Sequence, residues 1–171
     1  MAALAERLGA RNAALTILAA AAATIAGAWT YEWLGYAPCE LCLEERIPYY
    51  AALFLAAATA LAAQRGRAGL AQAGLAVLAL LFLAGAALAF YHSGVELKWF
   101  PGPTECTGAL QTAGSTEEFF RQLQTTKVVR CDEPALWVLG LSLTNWNFLI
   151  SLALAGLAAA AIGSPRNRRD G

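Results

Sequence analysis

The chain has 171 residues, 58% of them hydrophobic and only 14% charged, with a mean hydropathy of +0.50. The length suits one domain, and the charge content falls well below the roughly 25% of a soluble domain. Net charge is zero, which removes the electrostatic case for a nucleic-acid partner.

In chain order, residues 1–12 carry Arg7 and Arg11 against Glu6, and no charge follows from Ala13 to Tyr31. An Ala-rich run offers the small-residue cleavage sites of a signal peptide. This one is longer than the usual h-region of about 7–15 residues, and three similar runs follow it, so it reads as a first membrane helix. Tyr31, Trp33 and Tyr36 then make an aromatic turn suited to a membrane interface. Next comes Cys39-Glu40-Leu41-Cys42-Leu43-Glu44-Glu45-Arg46, preceded by Pro38.

Ile47 to Ala63 is the second uncharged run. Pro48 is tolerable in the first turn of a helix that starts near Arg46, but it would kink one that starts at Cys39. Gln64-Arg65-Gly66-Arg67 is a tight basic loop, and Ala68 to Tyr91 is the third run. His92 to about Ser142 is the longest polar segment. It holds Pro101-Gly102-Pro103, both distal cysteines, and Ser115-Thr116-Glu117-Glu118. That tetrapeptide fits a capping box, which predicts a short helix from about Thr116 to Gln124 with Phe119, Phe120 and Leu123 on one face. Leu143 to about Ile162 is the fourth run, and Ser164-Pro165-Arg166-Asn167-Arg168-Arg169 is a basic tail.

The expectation is an all-α membrane protein, a single integral domain over residues 1–171. It is a four-transmembrane-helix bundle with spans near 13–31, 47–63, 68–91 and 143–162, each long enough to cross a bilayer core. A soluble Ala-rich bundle would need a polar stripe on its surface helices, and none of the runs has one. Four crossings put both termini and the 64–67 loop on one side, with Arg7, Arg11, Arg65, Arg67, Arg166, Arg168 and Arg169. Loops 32–46 and 92–142 lie on the other, with ten of the twelve acidic residues. Lys and Arg favour the cytoplasmic side, so all four cysteines face outward, where thiols can be oxidised.

Four cysteines allow three pairings, and the close spacing favours Cys39–Cys42 as one unit and Cys106–Cys131 as the other. In the first unit the thiolate is the nucleophile, and lipid-side burial disfavours it. Positions i and i+4 share a helix face, so Arg46 can stand one turn from Cys42. A unit charge about 4 Å away, at an effective dielectric of about 20, is worth roughly 4 kcal/mol, enough to favour the thiolate. Arg46 can equally be a snorkelling interface anchor. Zinc would suit four Cys ligands, but the distal pair is too widely spaced and faces an oxidising side. Haem attachment needs His after the second Cys, and Leu43 stands there. No metal is expected. As a staple, Cys106–Cys131 would close a loop of about 26 residues and stabilise by about 3.5 kcal/mol on the chain-entropy model, roughly 75 mV for a two-electron couple. His92, the one histidine, sits by the end of the third run, as an interfacial hydrogen bonder or a catalyst.

Taken together the chain resembles the bacterial inner-membrane disulfide-bond formation protein DsbB family. The residues that carry the resemblance are Pro38-Cys39-Glu40-Leu41-Cys42 with Arg46-Ile47-Pro48-Tyr49-Tyr50, and Tyr91-His92-Ser93-Gly94-Val95-Glu96. Gly102-Pro103 before Cys106, Cys131-Asp132, Gly140-Leu141-Ser142 and Trp146-Asn147 complete the pattern. The resemblance implies a protein-disulfide:quinone oxidoreductase, with ubiquinone or menaquinone as cofactor and a periplasmic DsbA-like thioredoxin-fold protein as partner. It implies that Cys106 forms the mixed disulfide with that partner and that Cys131 links transiently to Cys39. Cys42 is then left as a thiolate beside the quinone, with Arg46 stabilising its charge and His92 lining the quinone pocket. Two other readings are a vitamin K epoxide reductase relative, whose CxxC lies late in the chain, and a non-catalytic membrane protein with structural disulfides.

Overall fold

A computed structural model describes residues 9–103, 115–117 and 129–162. Its elements are α1 (Ala10–Trp33), α2 (Glu40–Glu44), α3 (Ile47–Gln64), α4 (Ala68–Glu96), a hairpin of β1 (Trp137–Val138) and β2 (Leu141–Ser142), and α5 (Leu143–Ile162). Among the described residues, four segments are long and apolar enough to cross a membrane: Ala10–Trp33, Glu40–Gln64, Ala68–Glu96 and Leu143–Ile162. At 1.5 Å per residue, the 29 residues of α4 make about 43 Å. That is longer than a hydrocarbon core of about 30 Å, so one end of α4 reaches the interface with His92. The short helix expected after Ser115 falls almost wholly outside the described residues, as does Cys106.

The bundle turns the usual soluble pattern outside in. Phe54, Leu70, Leu80 and Leu83 are exposed, whereas Ala13, Ala14, Ala52, Ala56, Ala71, Ala155, Ala158 and Ala161 are buried. Lipid tails are as apolar as leucine, so helices associate through close backbone approach between small residues. Gly74 of α4 is one such point. A Cβ there would collide with the Thr59 hydroxyl and come within 3.0 Å of its methyl. Larger side chains fill the middle: Ile17, Leu75, Leu78 and Phe82 are fully buried, and Tyr49 packs edge-on against Phe82. Packing is most extensive between α4 and α5, then α1 and α3, then α3 and α4. The circuit closes weakly, because α1 and α5 meet over a much smaller surface.

Each helix end near the cysteines is set by local chemistry. Gly35 (φ 98°) ends α1, with its N–H on Glu32 O and the Tyr36 N–H on Tyr31 O. This is the Schellman pattern that favours glycine in the left-handed region. The same pattern ends α4, but the left-handed residue there is Lys98 (φ 60°), with its N–H on Val95 O and the Trp99 N–H on Gly94 O. A lysine at that position has a steric cost, and its side chain shows the compensation. Its Nζ donates to the backbone oxygen of Asp132 at 3.0 Å and also to the Asp132 carboxylate. Arg130 holds the same carboxylate in a bidentate pair, at 2.8 and 2.7 Å. These two cations, Arg130 first, keep the Asp132 carboxyl far below the usual carboxylate range. Cys131 is therefore flanked by an ionic clasp to the end of α4.

The hairpin pairs Trp137 with Ser142 and Val138 with Leu141. Its two-residue turn, Leu139 (φ 51°) and Gly140 (φ 82°), has the sign pattern of a type I′ turn. Trp146 of α5 donates to Val138 O at 2.9 Å, and Ser142 caps α5 by accepting from the Asn145 N–H at 3.2 Å. Trp29, Trp33, Trp99 and Trp137 are all exposed at this end of the bundle, as an interfacial aromatic belt requires.

Gly74→Ala should destabilise the bundle by about 1–3 kcal/mol through overpacking. Adding Thr59→Ala should recover part of the loss, and a double-mutant cycle in thermal unfolding measures the coupling. Asp132→Asn should loosen the Cys131 segment by up to about fivefold in amide exchange, since an exposed ion pair is worth about 1 kcal/mol or less. A depressed carboxyl contributes above its unfolded pKa and loses that contribution only as pH falls through the folded one. Protection near Cys131, taken relative to the intrinsic exchange rate at each pH, should therefore be unchanged between pH 7 and pH 5 but should fall with salt. A fall in protection over that pH interval with no salt effect would remove Asp132 as the clasp.

Candidate functional site

Pro38 leads into α2, a helix of only five residues. Cys39 is its N-cap, with Sγ accepting from the Cys42 N–H at 3.2 Å. The helical path breaks at Glu45 and Arg46 and resumes as α3, whose first turn holds Pro48. Pro48 there costs no hydrogen bond, since the first-turn amides have no intrahelical acceptor. The break gives adjacent residues different destinations. Glu45 turns inward and is 7% exposed. Arg46 turns to α1 and pairs with Glu32 at 2.8 Å. Cys42 and Arg46 thus do not share one continuous helix face, but both line the same cavity.

Cys39 and Cys42 form a disulfide with their Cα atoms 5.0 Å apart. The two sulfurs face different surroundings. Cys39 is buried in a cluster with Leu41, Val95 and Cys131, with half-buried Cys42, Tyr91, Leu88 and Val129 packed against it. Cys131 is 1% exposed and is itself disulfide-bonded. Cys42, by contrast, is in the wall of a cavity of about 270 Å³. The cavity lies between residues of α1 from Ala23 to Tyr31 and residues of α5 from Leu143 to Ile150. Its wall is mostly apolar, and Arg46, Glu45, Tyr49, Thr144 and Asn147 are among the polar residues that line it.

Behind the disulfide lies a buried polar network joining α4, α5 and the α2–α3 break. His92 Nε2 is 3.7 Å from Cys39 Sγ. His92 Nδ1 is 2.7 Å from Glu45 Oε1 and 3.3 Å from Thr144 Oγ1. Glu45 Oε2 accepts from Asn147 Nδ2 at 2.8 Å, and Asn147 Oδ1 accepts from the Tyr49 hydroxyl at 2.6 Å. Tyr49 also meets Ser151 at 3.1 Å. On the other flank, Glu96 accepts from Thr144 at 2.9 Å and from Ser142 at 2.6 Å. Buried polar groups persist when they are hydrogen-bonded, and each Glu45 side-chain oxygen has a partner.

Cys39, Cys42, Cys131, Arg46 and His92 therefore converge on one end of the bundle. His92 sits against Cys39, with the Cys131 backbone within hydrogen-bonding reach of its ring, and is not among the residues lining the cavity. Cys39, Cys42 and His92 bring three ligand-type atoms within 4.8 Å, but both sulfurs are committed to the disulfide. Sequence reasoning missed Glu45, Glu32, Tyr49, Thr144 and Asn147. For Glu45 a signal existed, because an ionisable residue inside a membrane segment is a functional candidate by default. The hydroxyl and amide partners look like ordinary interfacial residues until the helices are assembled.

The family model described as "Disulfide bond formation protein DsbB" matches residues 10–161. A protein named Disulfide bond formation protein B, from Polaromonas sp. (strain JS666 / ATCC BAA-500), is 29% identical over 86% of this chain and 88% of its own length. An uncharacterised protein of Rickettsia prowazekii (strain Madrid E) is 24% identical over 78% of this chain and 76% of its own. No solved structure matches. A disulfide at the mouth of a four-span bundle, joined to a buried polar network and matched across nearly the whole chain, places this protein in the disulfide bond formation protein DsbB family, as a membrane oxidoreductase of disulfide bond formation.

Proposed function

We propose that the chain reoxidises a periplasmic thioredoxin-fold dithiol protein and passes its electrons to a quinone of the bacterial inner membrane. The supporting observation is the two-faced disulfide, with Cys39 in the cluster that contains Cys131 and Cys42 in the cavity wall. The partner dithiol reduces Cys106–Cys131 and leaves as a disulfide. Cys131 then attacks Cys39, so the Cys131–Cys39 bond forms, the Cys39–Cys42 bond breaks and Cys42 leaves as a thiolate. Cys106 attacks Cys131, which restores the outer disulfide and releases Cys39. Arginine asymmetry between the loops supports a periplasmic position for all four cysteines.

The cavity fits a quinone ring. It is mostly apolar, it lies between α1 and α5, which pack thinly on each other, and Arg46 lines it together with Cys42. A quinone supplies a two-electron, two-proton sink. Arg46 would favour the Cys42 thiolate and offer donors to a ring oxygen. Glu32 opposes it by drawing the guanidinium toward α1.

The test uses the full chain in nanodiscs with a reduced thioredoxin-fold oxidase and ubiquinone-1. The chain should reduce the quinone, and Cys42→Ser should abolish this. Cys106→Ser should stop partner oxidation while leaving Cys39–Cys42 disulfide-bonded in quinone-replete membranes. Loss of the inner disulfide in that variant would reverse the assigned electron order.

The Arg46–Glu32 pair carries a signed prediction, read from Cys42 alkylation in a Cys39→Ser background. Arg46→Ala should slow alkylation at least about tenfold near neutral pH, since one pKa unit corresponds to about 1.4 kcal/mol, and higher pH should restore part of the rate. Arg46→Lys should fall between. Glu32→Gln should speed alkylation, by no more than about fivefold for a half-exposed pair. An alkylation profile unaltered in Arg46→Ala would make Arg46 an interface anchor.

A further inference from the structure

The proposed chemistry leaves a proton unaccounted for. Oxidising Cys39 and Cys42 removes two electrons and two thiol protons, and converting a quinone to a quinol consumes two of each. Cys42 lines the cavity, so a proton exchanged at its sulfur has direct access. Cys39 does not line the cavity and is 4% exposed, facing Cys131 instead. Its proton needs a carrier through the protein.

The geometry points to a proton conduit, Cys39–His92–Glu45, that delivers the Cys39 thiol proton into the cavity. His92 is the catalytic base, since its Nε2 is the ring nitrogen at Cys39 Sγ. Its other nitrogen is on Glu45 Oε1. Glu45 belongs to the cavity wall, so a single carboxylate joins the histidine to the space the quinone would fill. As Cys39 closes the bond to Cys42, its S–H proton passes to Nε2. The Nδ1 proton passes to Glu45, and Glu45 hands it to the reduced quinone oxygen. The S–H bond breaks and one O–H bond forms, Glu45 ends as it began, and His92 ends with its proton on Nε2 instead of Nδ1. In the opposite half of the cycle, when Cys106 attacks Cys131 and Cys39 leaves that bond, the Cys39 sulfur is released beside the same imidazole.

Around this conduit stand Tyr49 from α3, Glu96 from α4 through Thr144, the backbone of Cys131, and the Arg46–Glu32 pair between the α2–α3 break and α1. Asn147 of α5 holds Glu45 Oε2 and is itself held by Tyr49. Thr144 approaches His92 Nδ1 while donating to Glu96. These are positioning residues: they fix the carboxylate and the ring and carry no proton in the proposed step.

This inference rests on the quinone reading, and the experiment separates the two. The first readout needs no quinone. In a chain whose one cysteine is Cys39, reaction with a small methanethiosulfonate should persist at pH 6, and His92→Gln should slow it at least tenfold there. Glu45→Gln should slow it less, because the base remains. The second readout is turnover with ubiquinone-1. Glu45→Gln should lower kcat about a hundredfold, the usual scale of general acid–base catalysis, with KM for quinone changed less than threefold. The solvent deuterium isotope effect on kcat should rise. Added imidazole should rescue His92→Gly in part. A wild-type chain that leaves quinone unreduced would sink the quinone reading, and with it delivery to the cavity. A wild-type chain that turns over, with Glu45→Gln matching it in kcat and isotope effect, would overturn the conduit alone. If Glu45→Gln does not fold, a Cys39 reactivity profile unmoved by His92→Gln overturns it equally.

Discussion

A buried carboxylate is the constraint around which this end of the bundle is built. Glu45 stands in a membrane segment, where an unpaired charge costs several kcal/mol. It is stable there only because His92 from α4 and Asn147 from α5 each meet one of its oxygens. Satisfying it therefore fixes the α2–α3 break against two other helices at once. The partners have demands of their own, met by Tyr49, Ser151, Thr144 and Glu96. The result is a polar core in a place where apolar packing between helices has little driving force. Removing one member would leave several others unsatisfied, which makes the network stiff.

That stiffness bears on the disulfide. α2 has five residues, too few to be stable as a helix by itself. Cys39 and Cys42 are held by what lies on either side of them: Pro38 before, and the anchored Glu45 and Arg46 after. Anchoring two adjacent residues in different directions, one to α4 and α5 and the other to α1, removes rotation of the short helix about its own axis. Each sulfur then keeps its own side, one toward Cys131 and the other toward the cavity. A regular helix running through this point would turn both side chains by fixed increments of about 100° and could not have made both contacts.

The four spans and the four-helix bundle were legible because membrane solvation imposes a length and a composition on every crossing segment. Pro48 in the first turn was legible for the same kind of reason: its missing N–H restricts where a helix can begin. The hairpin at Trp137–Ser142 was not, since two residues per strand make no period. Nor was Lys98, whose left-handed backbone violates the local preference for glycine. Its reason lies at Asp132, 34 residues away. Glu45 and Arg46 show the same limit more sharply. On a continuous helix Glu45 is merely an acid that opposes a neighbouring thiolate. Only the break in the helix shows that it is paired away from Cys42, and that Arg46 is shared with Glu32.

The polar ties at this end of the bundle differ in kind, and the difference suits the proposed relay of two disulfides in series. Glu45–His92 is almost fully buried, with side chains 8% and 2% exposed, so salt hardly screens it. Asp132 with Lys98 and Arg130 is open to solvent, with the two cations 61% and 52% exposed, so it is screened and weak. The inner disulfide is thus held at one fixed distance from the cavity, while the segment carrying Cys131 is tethered by bonds that break and re-form easily. Under the proposed function, an inner pair facing a membrane oxidant would gain from a rigid geometry, because electron and proton transfer depend steeply on position. An outer pair would have to meet a partner protein and then Cys39 in turn, which a rigid clasp would forbid. Burial of one tie and exposure of the other thus divides the site into a fixed half and a movable half.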